Sequence, residues 1–162
     1  MNDVSRMQTI INECNIHAER LEMAYTHLLP LFPFTEEKLA HISDVDFGFL
    51  EVLIGRFAKL QDTLGGKLFP EVAGMVEPGF ERRTFIDVLN LLEKENLLKS
   101  AKEWKAMRDF RNQLTHEYPD NPEIMVENLN NSLDFIRALL AYWKSLNPQV
   151  VDVVEQYKKK FG

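Results

Sequence analysis

Apolar side chains in this chain recur three and four residues apart, and prolines or loop-forming clusters punctuate the pattern. That period belongs to a helix with one buried face. Between residues 4 and 29 the face is Ile10, Ile11, Cys14, Ala18, Leu21, Tyr25, Leu28 and Leu29, and Pro30 and Pro33 end it. A second helix is predicted from Ser43 or Asp44, either of which can cap it. It runs through Phe47, Leu50, Leu53, Ile54, Phe57, Leu60 and Leu64. Gly65-Gly66 marks a tight backbone approach or the helix end, and the apolar pattern resumes at Leu68 and Phe69. Glu77-Pro78-Gly79 reads as a loop, and Thr84 to Leu98 as a third helix with Phe85, Val88, Leu89, Leu92 and Leu97 inward. Ser100 with Glu103 forms a capping box for a fourth helix, which Tyr118-Pro119-Asp120-Asn121-Pro122 breaks. A long helix from about Glu123 to Leu146 is expected to bend or stop at Asn147-Pro148. A terminal helix follows, and its closing Lys158-Lys159-Lys160 suits the negative end of the helix dipole. No strand alternation, internal repeat or low-complexity tract interrupts this reading. The expected fold is all-α, an antiparallel helical bundle of four to five main helices, as a single domain over residues 1–162.

A chain of 162 residues can bury a core without staples. Cys14 is the only cysteine, so neither an internal disulfide nor a thiolate metal site can form within one chain, and a cytoplasmic protein is expected. No basic segment followed by an apolar stretch opens the sequence, and no apolar run approaches about 18 residues, so neither secretion nor a membrane span is expected. The net charge of −6 argues against a general polyanion binder. Its distribution is uneven. From Lys99 to His116, five basic residues (Lys99, Lys102, Lys105, Arg108, Arg111) face two acids (Glu103, Asp109), a local +3 that leaves −9 for the remainder. An acidic body carrying one basic helix fits a local phosphate site or the docking face of an acidic partner.

The chemistry concentrates in residues 111–118, Arg-Asn-Gln-Leu-Thr-His-Glu-Tyr. The guanidinium of Arg111 is a planar, permanently charged fork suited to a phosphate. The imidazole of His116 can give and take a proton near neutral pH. Together they make a minimal kit for attacking a phosphodiester without a metal. On the fourth helix Trp104, Met107, Phe110 and Leu114 form the core face, while Lys105, Arg108, Asn112 and His116 follow one another along a neighbouring polar face. At about 100° per residue, Arg111 and His116 lie roughly 140° apart, too far to serve one phosphate from a regular helix. A long Arg reaching over, an early end to the helix before Pro119, or a second copy across a two-fold axis would cure this. Structural roles for the same residues stay open: an ion pair of Arg111 with Asp109 or Glu117, a His stabilised by the helix dipole, and Tyr118 fastening the helix end to the core.

The spacing R-x4-H with a polar residue after the Arg resembles the signature of the HEPN superfamily of small all-helical ribonucleases. The longer form R-x4-H-x-Y resembles the toxin branch paired with a minimal nucleotidyltransferase antitoxin. The resemblance implies a helical bundle, a homodimer whose two motifs build a composite cleft, RNA as substrate, and Tyr118 as the side chain that the partner modifies with adenylate. A phosphate added there would crowd the cleft and neutralise Arg111. On this reading the chain is a metal-independent endoribonuclease without a cofactor. Arg111, His116 and Asn112 form the catalytic set, and Arg108 and Lys105 steer RNA toward it. The alternative is a non-catalytic subunit that binds a nucleotidyltransferase, which the acidic overall charge favours.

Other motifs carry less. His17, His27 and His41 are scattered without carboxylate or Cys partners at ligand spacing, so no metal site is expected. Gly65-Gly66-Lys67 lacks the rest of a phosphate-binding loop, and no strand precedes it. Ser and Thr residues show no nucleophile-elbow context. Trp104 and Trp143 read as core. The polar interruption within Leu60-Gln61-Asp62-Thr63-Leu64-Gly65 reads as a helix contact or an interface.

Overall fold

Local caps start most of the helices where the sequence places them. The computed structural model describes residues 2–116 and 120–162. Helix α1 (Asp3–Leu28) begins where Asn2 accepts a hydrogen bond from the Ser5 amide at 2.8 Å. A short α2 (Glu36–Ala40) follows, capped by Thr35 accepting from the Lys38 amide at 3.1 Å; its single turn is too brief for apolar periodicity to reveal. Ser43 caps α3 (Asp44–Thr63) by accepting from the Asp46 amide at 3.1 Å. Ser100 does the same for α6 (Ala101–Thr115) through the Glu103 amide, also at 3.1 Å.

Gly65-Gly66 does not end the second helix. The chain passes from α3 through a π turn at Leu64–Leu68 straight into α4 (Phe69–Val76). Pro70 explains the wide turn: it has no N–H for the Gly66 carbonyl, and its ring would crowd that carbonyl in a regular α-helix. The Phe69 amide bonds instead to the Leu64 carbonyl, one residue further back than in an α-helix. The Gly65-Gly66 pair also gives a close approach. A Cβ at Gly65 would lie 3.4 Å from the Trp104 indole.

Helix α5 (Phe85–Lys94) ends four residues earlier than periodicity predicts. Asn96 takes a left-handed conformation (φ 60°), and the amides of Leu97 and Leu98 fold back onto the Leu92 carbonyl. Leu97 and Leu98 are still buried, which is why the apolar pattern runs past the helix. The final helix α7 (Pro122–Phe161) is continuous through Pro148, where a bend or stop is predicted from sequence. Pro148 is exposed, so water can serve the carbonyl its missing N–H leaves free.

The helices share one core. α1 packs along α3, and α7 crosses α1, α4 and α6. Aromatic contacts tie α6 into place: Trp104 meets Phe69 at a centroid distance of 4.7 Å, and Phe110 stacks on Phe135 of α7 at 4.3 Å. Tyr142 donates to the Leu97 carbonyl at 2.7 Å, and the Asn130 amide bridges both backbone groups of Phe34 at 2.7 and 3.0 Å. The architecture is all-α, with no strand among the described residues. Among those residues, no helix is long and apolar enough to cross a membrane.

Candidate functional site

The core face of α6 forms as periodicity predicts. Trp104, Phe110 and Leu114 are buried and Met107 packs against the core. This fixes the rotation of the helix and presents Lys105, Arg108, Asn112 and His116 on its exposed side. The helix ends at Thr115, and His116 is its C-cap with extended backbone (φ −78°, ψ 132°). Thr115 contributes to that end by turning its hydroxyl back onto the carbonyls of Arg111 (3.1 Å) and Asn112 (3.3 Å). An early end to the helix is thus one of the routes by which Arg111 and His116 can escape helical spacing. Tyr118 lies outside the described residues, as does Glu117.

Arg111 sits between core and surface, 25 % exposed, and its guanidinium is held from two directions. Nη2 donates to Oδ2 of Asp62 on α3 at 2.6 Å, and Nη1 donates to Oδ1 of the adjacent Asn112 at 3.1 Å. Nε is buried without a hydrogen-bond partner among the described residues. The ion-pair partner is therefore an acid 49 residues away on another helix, and not Asp109 of the same helix. Asp62 is the neighbour of Arg111 that the motif alone does not reveal. Its signal was the polar interruption of α3 between buried Leu60 and Leu64.

Arg108 is exposed, and its guanidinium lies over the Phe85 ring of α5, 5.2 Å from the centroid. Lys105 is exposed one turn earlier. Between α6 and the α3 π turn lies a cavity of about 280 Å³ lined by Gln61, Asp62, Gly65, Gly66, Phe85, Trp104 and Arg108. The structure thus brings Arg111, Asn112 and Asp62 together, with Arg108 at the neighbouring cavity and His116 at the helix end.

The scattered histidines go elsewhere. His27 pairs with Asp46 at 2.7 Å and stacks on Phe49, and His41 bonds the Glu37 carbonyl. His17 accepts from Arg56 at 2.9 Å, and burial, followed by the Arg56 charge, lowers its pKa below 6.5. Burial pushes the Cys14 thiol up to about 12, so it stays protonated and inert. Among the described residues no three His, Cys, Asp or Glu side chains are grouped to share a metal ion.

A family model described as Ribonuclease HepT-like matches residues 73–142. The matched segment runs from the second half of α4 through α5 and α6 into the first half of α7, and so contains Arg111, Asn112, His116 and Tyr118. Asp62 and Gln61 lie upstream of it. The match covers less than half of the chain, and makes that segment similar to the HepT-like ribonucleases. No curated protein and no solved structure matches the chain.

Proposed function

We propose that this chain is a HEPN-type endoribonuclease that works as one domain and serves as the toxin of a toxin–antitoxin pair. The observation that carries the reading is an anchored guanidinium on α6, five residues before a histidine at the helix end, inside the segment that a ribonuclease family model matches. In the proposed reaction the ribose 2′-hydroxyl attacks the adjacent phosphate in line, the P–O5′ bond breaks, and a cyclic phosphate and a free 5′-hydroxyl remain. His116 takes the proton from the 2′-hydroxyl or returns one to the leaving oxygen. Arg111 holds the phosphate and stabilises the charge that builds on its oxygens. Asn112 accepts from Arg111 through Oδ1, which directs its NH₂ group to a substrate oxygen. Arg108 and Lys105 draw RNA toward the site.

A homodimer with facing motifs completes the site on this reading. It would bring a second Arg–His pair to one cleft, so that a phosphate need not be served by the Arg111 and His116 of a single copy. Tyr118, two residues beyond His116, is the proposed acceptor of adenylate from a small nucleotidyltransferase antitoxin. The added negative charge would then oppose the same RNA phosphate that Arg111 attracts.

A second reading, a non-catalytic subunit bound to a nucleotidyltransferase, is favoured by the ion pair itself: Asp62 already offsets the charge of Arg111. One experiment separates the two. Arg111→Ala and His116→Ala should each lower RNA cleavage by the purified protein by about 10²–10⁴-fold while its thermal unfolding stays cooperative. Cleavage undiminished in both variants, or absent from the wild type, would favour the binding subunit.

A further inference from the structure

The cavity beside Arg111 is built for something polar and flat. Gln61 is a polar side chain only 2 % exposed, and it lines this cavity. The indole N–H of Trp104, which is 3 % exposed, is buried without a partner among the described residues, and Trp104 lines the same space. A buried indole N–H left unpaired at a cavity is costly unless a ligand satisfies it. The walls are aromatic: Trp104 on one side, and Phe85 with the Arg108 guanidinium over its ring. Asp62 forms part of the lining and also holds Arg111, so the cavity adjoins the proposed phosphate site through one side chain.

We propose that this cavity is a nucleobase subsite, which takes one unpaired base next to the phosphate held by Arg111. The proposal rests on the endoribonuclease reading for the identity of the strand. A splayed-out base is typically held by stacking on aromatic rings or Arg planes and by hydrogen bonds to its pairing edge. Every base carries adjacent donor and acceptor atoms on that edge, and a Gln amide presents one of each. In a duplex those atoms are already used. The subsite therefore selects single-stranded RNA and rejects the paired form. A cavity of about 280 Å³ has room for one base.

The test follows the Gln61 side-chain amide and Trp104 indole signals in ¹⁵N NMR spectra while an uncleavable 2′-O-methyl RNA 12-mer is added, single-stranded or annealed to its complement. Both signals should move with the single strand and stay still with the duplex. Gln61→Leu removes the edge contact. Gly66→Leu fills the cavity mouth from a position where an added Cβ meets nothing within 4 Å, so it serves even if the buried change disturbs folding. Each variant should weaken single-strand binding by about 10-fold or more. Unmoved signals, equal duplex binding, or unchanged affinity in both variants would overturn the subsite. Binding with these signatures by a protein that cleaves no RNA would keep the subsite and defeat the endoribonuclease reading. Cleavage by a protein lacking them would do the reverse.

Discussion

Arg111 is held by acceptors of two kinds, and the difference decides how it can serve a phosphate. Asn112 is neutral and belongs to the same helix, so its bond orients the fork without diminishing its charge. Asp62 comes from α3, fixes the guanidinium relative to the bundle, and offsets part of its charge. At 55 % side-chain exposure it is partly solvated, so a phosphate can compete for the same Nη2. Asp62→Asn keeps the oxygen and removes the charge. If Asp62 positions Arg111, kcat for RNA cleavage should fall on the order of 10- to 100-fold while KM does not rise. A raised KM with unchanged kcat would make Asp62 a substrate contact instead. The motif residues were readable from spacing because Arg111, Asn112 and His116 lie within six consecutive residues. Asp62 was not, because its link to Arg111 spans 49 residues and exists only after α3 and α6 pack.

The meeting of the α3 π turn and α6 shapes the site at the scale of elements. Gly65 faces the Trp104 indole at 3.4 Å from where a Cβ would stand, whereas a Cβ at its neighbour Gly66 meets nothing within 4 Å. Gly65→Leu should therefore push into Trp104 and Phe85 and cost about 1–3 kcal/mol in urea unfolding. Gly66→Leu should cost nothing measurable and can gain from better helix propensity. Equal effects at the two positions would mean that the close approach is not what requires glycine. Periodicity revealed the longer helices and the core face of α6, since burial and the helical repeat act on the same residues. At the joints it was less decisive. Gly65-Gly66 read as a close approach or a helix end, and the structure has the close approach; Pro148 read as a bend or a stop, because local propensity cannot register that solvation of a freed carbonyl lets a helix continue.

For the molecule as a whole, acid should weaken the fold through α1 and α3. Arg56 can only donate, so the hydrogen bond to Nδ1 of His17 requires a neutral imidazole, and burial and the Arg56 charge both lower its pKa from 6.5. The unfolded chain then takes up that proton before the folded one does. Stability contributed here is present above pH 6.5 and is lost as pH falls below it toward the lowered folded value. Urea midpoints measured down through that window should decline less in His17→Gln than in the wild type. What the proposed enzyme does to RNA is reported most directly by the ends of the cleaved strands. Mass spectrometry of a defined RNA incubated with the purified protein should show 2′,3′-cyclic phosphate and 5′-hydroxyl ends, unchanged by EDTA and missing with His116→Ala. Products ending in 5′-phosphate and 3′-hydroxyl, or the same products at full rate from His116→Ala, would contradict the proposed reaction.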